Sequence, residues 1–222
     1  MQEVLSAQSQ DYLKAIHSLA VHGEVSNTSL AETLQISSAS VTGMLKKLQE
    51  RGFVNHEPYK GVVLTKRGER TALEVVRHHR LIETYLHQVL GYSLDEVHDE
   101  AERLEHHISE ALEQRMAEKL GHPTHDPHGD PIPTLEGKIP PYATRSLATV
   151  QAGETVTIGR VSERNTELLR YLISHEVLPG SSVLVLEVKN EVGVIHLDVA
   201  GTEHVLSLEA ARHVWVNEAG RG

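Results

Sequence analysis

The chain has 222 residues, 39% of them hydrophobic, a formal charge of -10 at neutral pH and no cysteine. That length holds one large domain or two to three small ones with a buried core, and the missing thiols exclude disulfides and thiolate metal sites, leaving His, Asp, Glu, backbone or water to hold any metal. There is no run of 18 apolar residues and no basic leader ahead of an apolar core, so a cytoplasmic protein without a membrane partner is expected.

The periodicity of Leu13, Ile16, Leu19 and Ala20 predicts a first helix from about Ser6 to His22. A short second helix is expected over about Thr28 to Leu34, capped by Asn27 or Thr28. A third runs from about Ser38 to Arg51 with Val41, Leu45 and Leu48 inward, and Gly52 ends it. Phe53-Val54 and Val62-Val63-Leu64 alternate around Pro58-Tyr59-Lys60-Gly61, a two-stranded wing, so the first third reads as a winged helix-turn-helix. Lys66 to Leu90 is a long helix, and after Gly91-Tyr92-Ser93 another begins near Leu94 and carries Val97, Ala101, Leu104, Ile108 and Leu112. Residues 121 to 144 hold six of the eight prolines and read as irregular connection that divides the protein. Glu154–Val161, Ser182–Lys189, Gly193–Val199 and His204–Ser207 alternate as strands, with a helix at Asn165–Ile173, giving a small β-barrel. The expected class is mainly α with small β parts, divided as 1–70, 71–143 and 144–222.

On a continuous helix His98, Glu102, Glu105 and His106 fall within roughly one quadrant of the wheel, two imidazoles beside two carboxylates. His79 and Glu83, four apart, form a further pair on one stripe. Hard oxygen donors mixed with imidazole suit Mn(II) or Fe(II). His122, His125 and His128, in the Pro-rich loop, read as solvated or structural, and His78 and His107 point off the ligand stripe. The charge is uneven as well. Residues 71–140 carry 6 Lys+Arg against 14 Asp+Glu, whereas residues 41–70 carry 7 against 3. A phosphate backbone would dock on that local positive stretch.

Asp11-Tyr12-Leu13, the run Leu48-Gln49-Glu50-Arg51-Gly52-Phe53-Val54, His79-Arg80-Leu81-Ile82-Glu83, Val97-His98-Asp99-Glu100-Ala101-Glu102, Glu105-His106 and His128-Gly129-Asp130-Pro131-Ile132-Pro133 occur in an order that resembles the diphtheria toxin repressor family, most closely its manganese-responsive branch. The resemblance covers nearly the whole chain. It implies a winged helix, a helical metal-binding and dimerisation domain and an SH3-like (FeoA-type) C-terminal domain. By position it implies a primary metal site of Asp11, Glu102, Glu105 and His106, where iron-responsive members have Met and Cys in place of Asp11 and Glu102; the exchange of sulfur for oxygen favours manganese, with iron second. It implies an ancillary site of His79, Glu83 and His98, completed from among Glu163, Asn165 and Glu167. Relatives without a third domain can use a Glu one turn after Asp11; Lys14 stands there in this chain, which argues against their coupled two-ion cluster.

For DNA, Ser37, Ala39, Ser40, Thr42 and Gly43 occupy the exposed first turns of the third helix, where small side chains approach base edges. Lys46, Lys47, Arg51 and Lys60 read as phosphate contacts. The expectation is a metal-activated, homodimeric repressor of metal-uptake genes that binds a double-stranded operator, has no small-molecule substrate and is not an enzyme. Without metal the clustered carboxylates repel one another, and Leu81, Tyr85, Leu104 and Ile108 supply core or dimer surface. A metalloenzyme or a DNA-free metal buffer are the rival classes; the His-Glu-x-x-His and paired Glu-x-x-His motifs of the former are absent.

Overall fold

The computed structural model describes residues 5–21, 23–56, 61–163 and 165–218. The chain falls into two compact units, Met1–His79 with Glu102–Glu113 and Pro133–Lys138, and Arg80–Ala101 with Gln114–Ile132 and Ile139–Gly222. Among the described residues no helix is long and apolar enough to cross a membrane.

The first unit opens with α1 (Ala7–Ala20), whose N-terminus is capped by the Ser6 hydroxyl accepting from Ser9 N. Helices α2 (Asn27–Thr33) and α3 (Ser38–Glu50) follow, capped by Ser26 and Ser37. The cap of α2 is thus one or two residues earlier than the expected Asn27 or Thr28, because Ser26 and Ser29 form a reciprocal capping box. Tyr12, Leu13, Ile16, Leu30, Val41, Leu45, Leu48 and Phe53 form one buried cluster. Truncating one of them, as in Leu45→Ala, costs about 2–5 kcal/mol. Strands β1 (Val54–His56) and β2 (Val62–Leu64) pair antiparallel with Val54 opposite Leu64. The wing tip, with Lys60, lies outside the described residues.

Helix α4 (Lys66–Leu90) keeps its expected bounds. The next helix does not. α5 spans only Val97–Leu104, Glu105 to His107 form a turn, and α6 (Glu110–Lys119) starts anew. Ser109 is the physical reason: its hydroxyl accepts from Leu112 N, so a fresh N-cap interrupts what the apolar spacing presents as one helix. Leu81 is fully buried, whereas Leu104 is exposed.

The second unit is built on an antiparallel sheet of six strands in the order β3-β8-β4-β5-β6-β7, namely β3 (Arg145–Ser146), β4 (Thr155–Val161), β5 (Ser182–Lys189), β6 (Val194–Val199), β7 (Thr202–Ser207) and β8 (Val214–Glu218). β3 and β8 were not expected from the sequence. With β8 inserted between β3 and β4, and no pairing of β3 to β7 among the described residues, the expected barrel is an open sheet. Helices α7 (Thr166–Ser174) and α8 (Leu208–Ala211) complete it. Ile158, Leu169, Leu172, Val185, Ile195, Leu197 and Val214 form its core. The protein is mixed α and β, not mainly α.

Candidate metal centres and nucleic-acid face

In the first unit the inward face of α1 carries Tyr12, Leu13 and Ile16, which leaves Asp11 and Lys14, three apart, on another face. Asp11, Glu105 and His106 offer ligand atoms within 4.8 Å of one another, and so do His79, Glu102 and Glu105. Hard divalent ions take oxygen at roughly 2.0–2.6 Å, so atoms up to about 5 Å apart can share one ion. His106 reaches Asp11 because it has left the helix; its Nε2 lies 2.7 Å from Asp11 Oδ1 and 3.3 Å from Glu105 Oε1. His106 Nδ1 donates to Gln10 Oε1 at 2.6 Å, which aims Nε2 at the cluster.

Past the end of α5 the Glu105 carbonyl has lost its helical donor, and His78 Nδ1 takes it at 3.2 Å. His78 Nε2 in turn lies 3.1 Å from Glu113 Oε2, and Arg77 bonds the other Glu113 oxygen. Burial works against the charged form of His78, but Glu113 outweighs it and raises the imidazole above its ordinary value. His78, set aside as pointing off the stripe, therefore positions the ligand-bearing turn.

Lys14 Nζ donates to Glu102 Oε1 at 2.5 Å and to both Glu105 oxygens at 2.7 and 2.9 Å. His79 Nδ1 lies 2.5 Å from Glu105 Oε2. Burial alone would raise Glu105; His79 and Lys14 instead hold it below the usual carboxylate value. The expected mutual repulsion of these carboxylates is thus offset by an ammonium already among them. That cation stands where positive charge is wanted, and the donor set of carboxylates and imidazoles without sulfur fits a hard divalent ion.

In the second unit Glu83, Asp126, His128 and Glu163 bring ligand atoms within 4.8 Å of one another. His98 Nδ1 is 3.3 Å from Glu83 Oε1 and 3.6 Å from Glu163 Oε2. Of the expected completing residues only Glu163 arrives. Glu167 sits in the first turn of α7 with its side chain 88% exposed, pairing with Arg170, and Asn165 is spent as the N-cap of α7. Of the two readings of His128, solvated or structural, burial excludes the first: it is fully buried. Its Nε2 donates to the Leu94 carbonyl at 2.9 Å, which turns Nδ1 toward Glu163 Oε2 at 3.2 Å.

The loop is held there by two devices. Asp126 Oδ1 accepts from His128 N and Asp130 N, and Gly129, at φ +88°, packs so closely that a Cβ would meet the Gly159 carbonyl oxygen at 2.0 Å. Asp126 Oδ2, His128 Nδ1 and Glu163 Oε2 are buried with no aligned hydrogen bond. In the metal-free chain Asp126 Oδ2 has the Arg80 guanidinium 3.5 Å away and Glu163 Oε2 has His128 Nδ1 3.2 Å away; buried carboxylates and imidazoles that converge in this way are donors a hard divalent cation takes, so this pocket fits a cation. Burial opposes charge on His98 and His128, but Glu163 and Glu83 beside them push the imidazoles up to about 10 and about 11. Burial first, then the Glu83 charge, drives Asp126 well above the usual carboxylate range. Glu163 is held well below it, against burial, by His128 and His98.

On α3, Ala39, Ser40, Thr42, Gly43, Lys46 and Lys47 are exposed and Arg51 is half-buried. A Cβ on Gly43 would meet nothing within 4 Å, so packing inside the chain gives no reason for the glycine. Ser37 is the N-cap, its hydroxyl 2.9 Å from that of Ser40. Thr42 Oγ1 accepts from Asn27 and donates to the Ser38 carbonyl. The Arg51 guanidinium lies 5.7 Å from the Phe53 ring centre.

A helix-turn-helix unit that also carries clustered hard ligands belongs to the class of metal-responsive DNA-binding proteins. Family models agree in all three parts: the N-terminal DNA binding domain of iron dependent repressors matches residues 4–62, their metal binding and dimerisation domain residues 65–134, and the FeoA domain residues 145–218. A solved manganese-dependent transcriptional repressor in complex with manganese is 40% identical, with a TM-score of 0.86 over 95% of this chain and 99% of that one. The diphtheria toxin repressor of Corynebacterium efficiens is 29% identical over 197 residues, 83% of this chain and 85% of that protein. The iron-dependent repressor IdeR of Mycobacterium tuberculosis is 36% identical over 125 residues, 56% of this chain and about half of that protein's length, 54%. The chain belongs to the diphtheria toxin repressor family of iron- and manganese-dependent repressors.

Proposed function

We propose that this protein is a manganese-activated transcriptional repressor, with iron(II) as the second candidate ion, that binds double-stranded DNA as a homodimer in the cytoplasm and controls metal-uptake genes. The observation that carries the reading is the meeting of Asp11, on the first helix of the DNA-binding bundle, with Glu105 and His106 from a turn more than ninety residues later. A divalent ion supplies the positive charge on which these groups converge. The chain's own residues do the rest: Gln10 and His78 hold the ligand turn, and Asp11 couples it to α1, which packs on α2 and α3. Ligand and DNA affinities are then linked, each raising the other by the same factor.

The primary site in this reading is Asp11, Glu102, Glu105 and His106. A second site is Glu83, His98, Asp126, His128 and Glu163, with His79, carried over from the family, adjoining Glu105. Glu167 drops out because it is exposed and paired elsewhere. Ala39, Ser40, Thr42 and Gly43 face base edges, Lys46 and Lys47 face phosphates, Lys60 is a further phosphate contact by its place in the sequence alone, and Ser37 and Arg51 act by shaping the ends of α3. The domain division is 1–70, 71–143 and 144–222, the last SH3-like. The protein is not an enzyme and takes no small-molecule substrate.

The test is selection of duplex DNA from a random pool in Mn(II), followed by titration of the selected duplex with Mn(II) or with EDTA. Affinity at least tenfold higher in Mn(II) is expected, on the scale of allosteric couplings of about 1–3 kcal/mol. Equal affinity in both would contradict the reading.

A further inference from the structure

We propose that Lys14 is a tethered cation that holds Glu102 and Glu105 together in the metal-free chain and competes with the divalent ion for the same oxygens, thereby setting how much metal fills the site. The proposal rests on the reading of that cluster as a metal site and goes further, to what sets its threshold. Three of the four oxygens of Glu102 and Glu105 accept from the ammonium, at 2.5 to 2.9 Å. One of these, Glu105 Oε1, also faces His106 Nε2, and another, Glu105 Oε2, faces His79 Nδ1. An ion entering among Asp11, Glu105 and His106 therefore meets a Glu105 carboxylate with both oxygens already engaged by Lys14.

Charge-assisted bonds of this kind are roughly twice as strong as neutral ones, so their loss opposes binding. Lys14 also has a way out. Its side chain is 21% exposed, and a four-carbon stem lets the head swing to water while its backbone stays in α1. A lysine ammonium is a full positive charge at neutral pH, and this one sits on the oxygens an ion would take. Because Lys14 stands one helical turn after Asp11, α1 contributes both a ligand and its competitor.

The experiment is direct Mn(II) binding to the full-length chain, read from the electron paramagnetic resonance of free Mn(II), in wild type, Lys14→Met and Lys14→Gln. The series is repeated in the Glu163→Gln background, where the other cluster is disabled. Both substitutions are expected to tighten Mn(II) binding by roughly tenfold or more, as removal of one unit charge a few ångströms away implies. They are also expected to lower the urea midpoint of the metal-free protein, which loses the counter-charge between two carboxylates. Unchanged or weaker Mn(II) binding in both variants overturns the proposal. Asp11→Asn, run in parallel, separates the two levels: if it loses a Mn(II) equivalent while the Lys14 variants bind as wild type, only the tethered cation is refuted. If it binds Mn(II) as wild type does, the metal site itself is refuted and the proposal falls with it.

Discussion

The two ligand clusters solve one problem by different means. Around Glu105 the carboxylates lie near a solvent edge and are neutralised by an ammonium from the chain. Around Glu163 they lie in a buried pocket where the raised imidazoles of His98 and His128 supply the positive charge. An acidic cluster that waits for a cation needs a temporary counter-charge, and a tethered lysine and a protonated histidine are alternative forms of it. The first is displaced without a proton leaving; the second gives up protons as metal enters.

The difference can be broken by substitution. The largest effect is expected from Asp11→Asn, which should cost about a hundredfold or more in Mn(II)-dependent DNA affinity while leaving the Glu163 cluster's Mn(II) equivalent in place, since changes even to supporting residues cost 10–100-fold. Parallel metal analysis and DNA titration check it; loss of both equivalents would show that the clusters are not independent. Next is His128→Ala, which should lose one Mn(II) equivalent per chain, counted by metal analysis after gel filtration. Glu167→Gln, its neighbour in sequence from Glu163, should leave the count unchanged, because its side chain is exposed and paired with Arg170.

Smaller still is the pH dependence of the metal-free chain. His98 and His128 are raised from the ordinary 6.5 to about 10 and about 11, so the stabilisation they provide is fully present below about 6.5 and is lost as the pH rises through those higher values. Glu163 is held low, so its contribution is present above 4.5 and lost as the pH falls further. Urea midpoints across pH in EDTA should decline on the alkaline side in wild type and decline less in His128→Ala. The smallest effect is expected on the DNA face, where Lys46→Ala or Lys47→Ala should reduce the slope of log affinity against log salt by about 1 each if they touch phosphates.

Much of this was legible where information is local. α1, α3 and α4 follow from apolar spacing and caps, and Asp11, Glu105 and His106 do come together. Their route was not legible: the wheel placed Glu105 and His106 on a continuous helix, and they meet Asp11 because that helix ends at Leu104. Ser109, ahead of Glu110 and Leu112, was the available signal of a second start. His128 and Asp126 were missed for a different reason. A Pro-rich loop reads as solvated, and nothing local states that Gly129 lets it pack against Gly159 thirty residues on. β8 escaped because a strand of five residues, one in from the sheet's edge, is recognisable only from its partners β3 and β4.

The central claim is that metal occupancy and DNA binding are linked through Asp11. Reciprocity gives the direct measurement: the Mn(II) affinity of wild type and of Asp11→Asn, with and without saturating selected duplex. The account expects duplex to tighten Mn(II) binding to wild type by the same factor by which Mn(II) tightens duplex binding, at least tenfold, and to do nothing for Asp11→Asn. Mn(II) affinity of wild type that is indifferent to the duplex would contradict it.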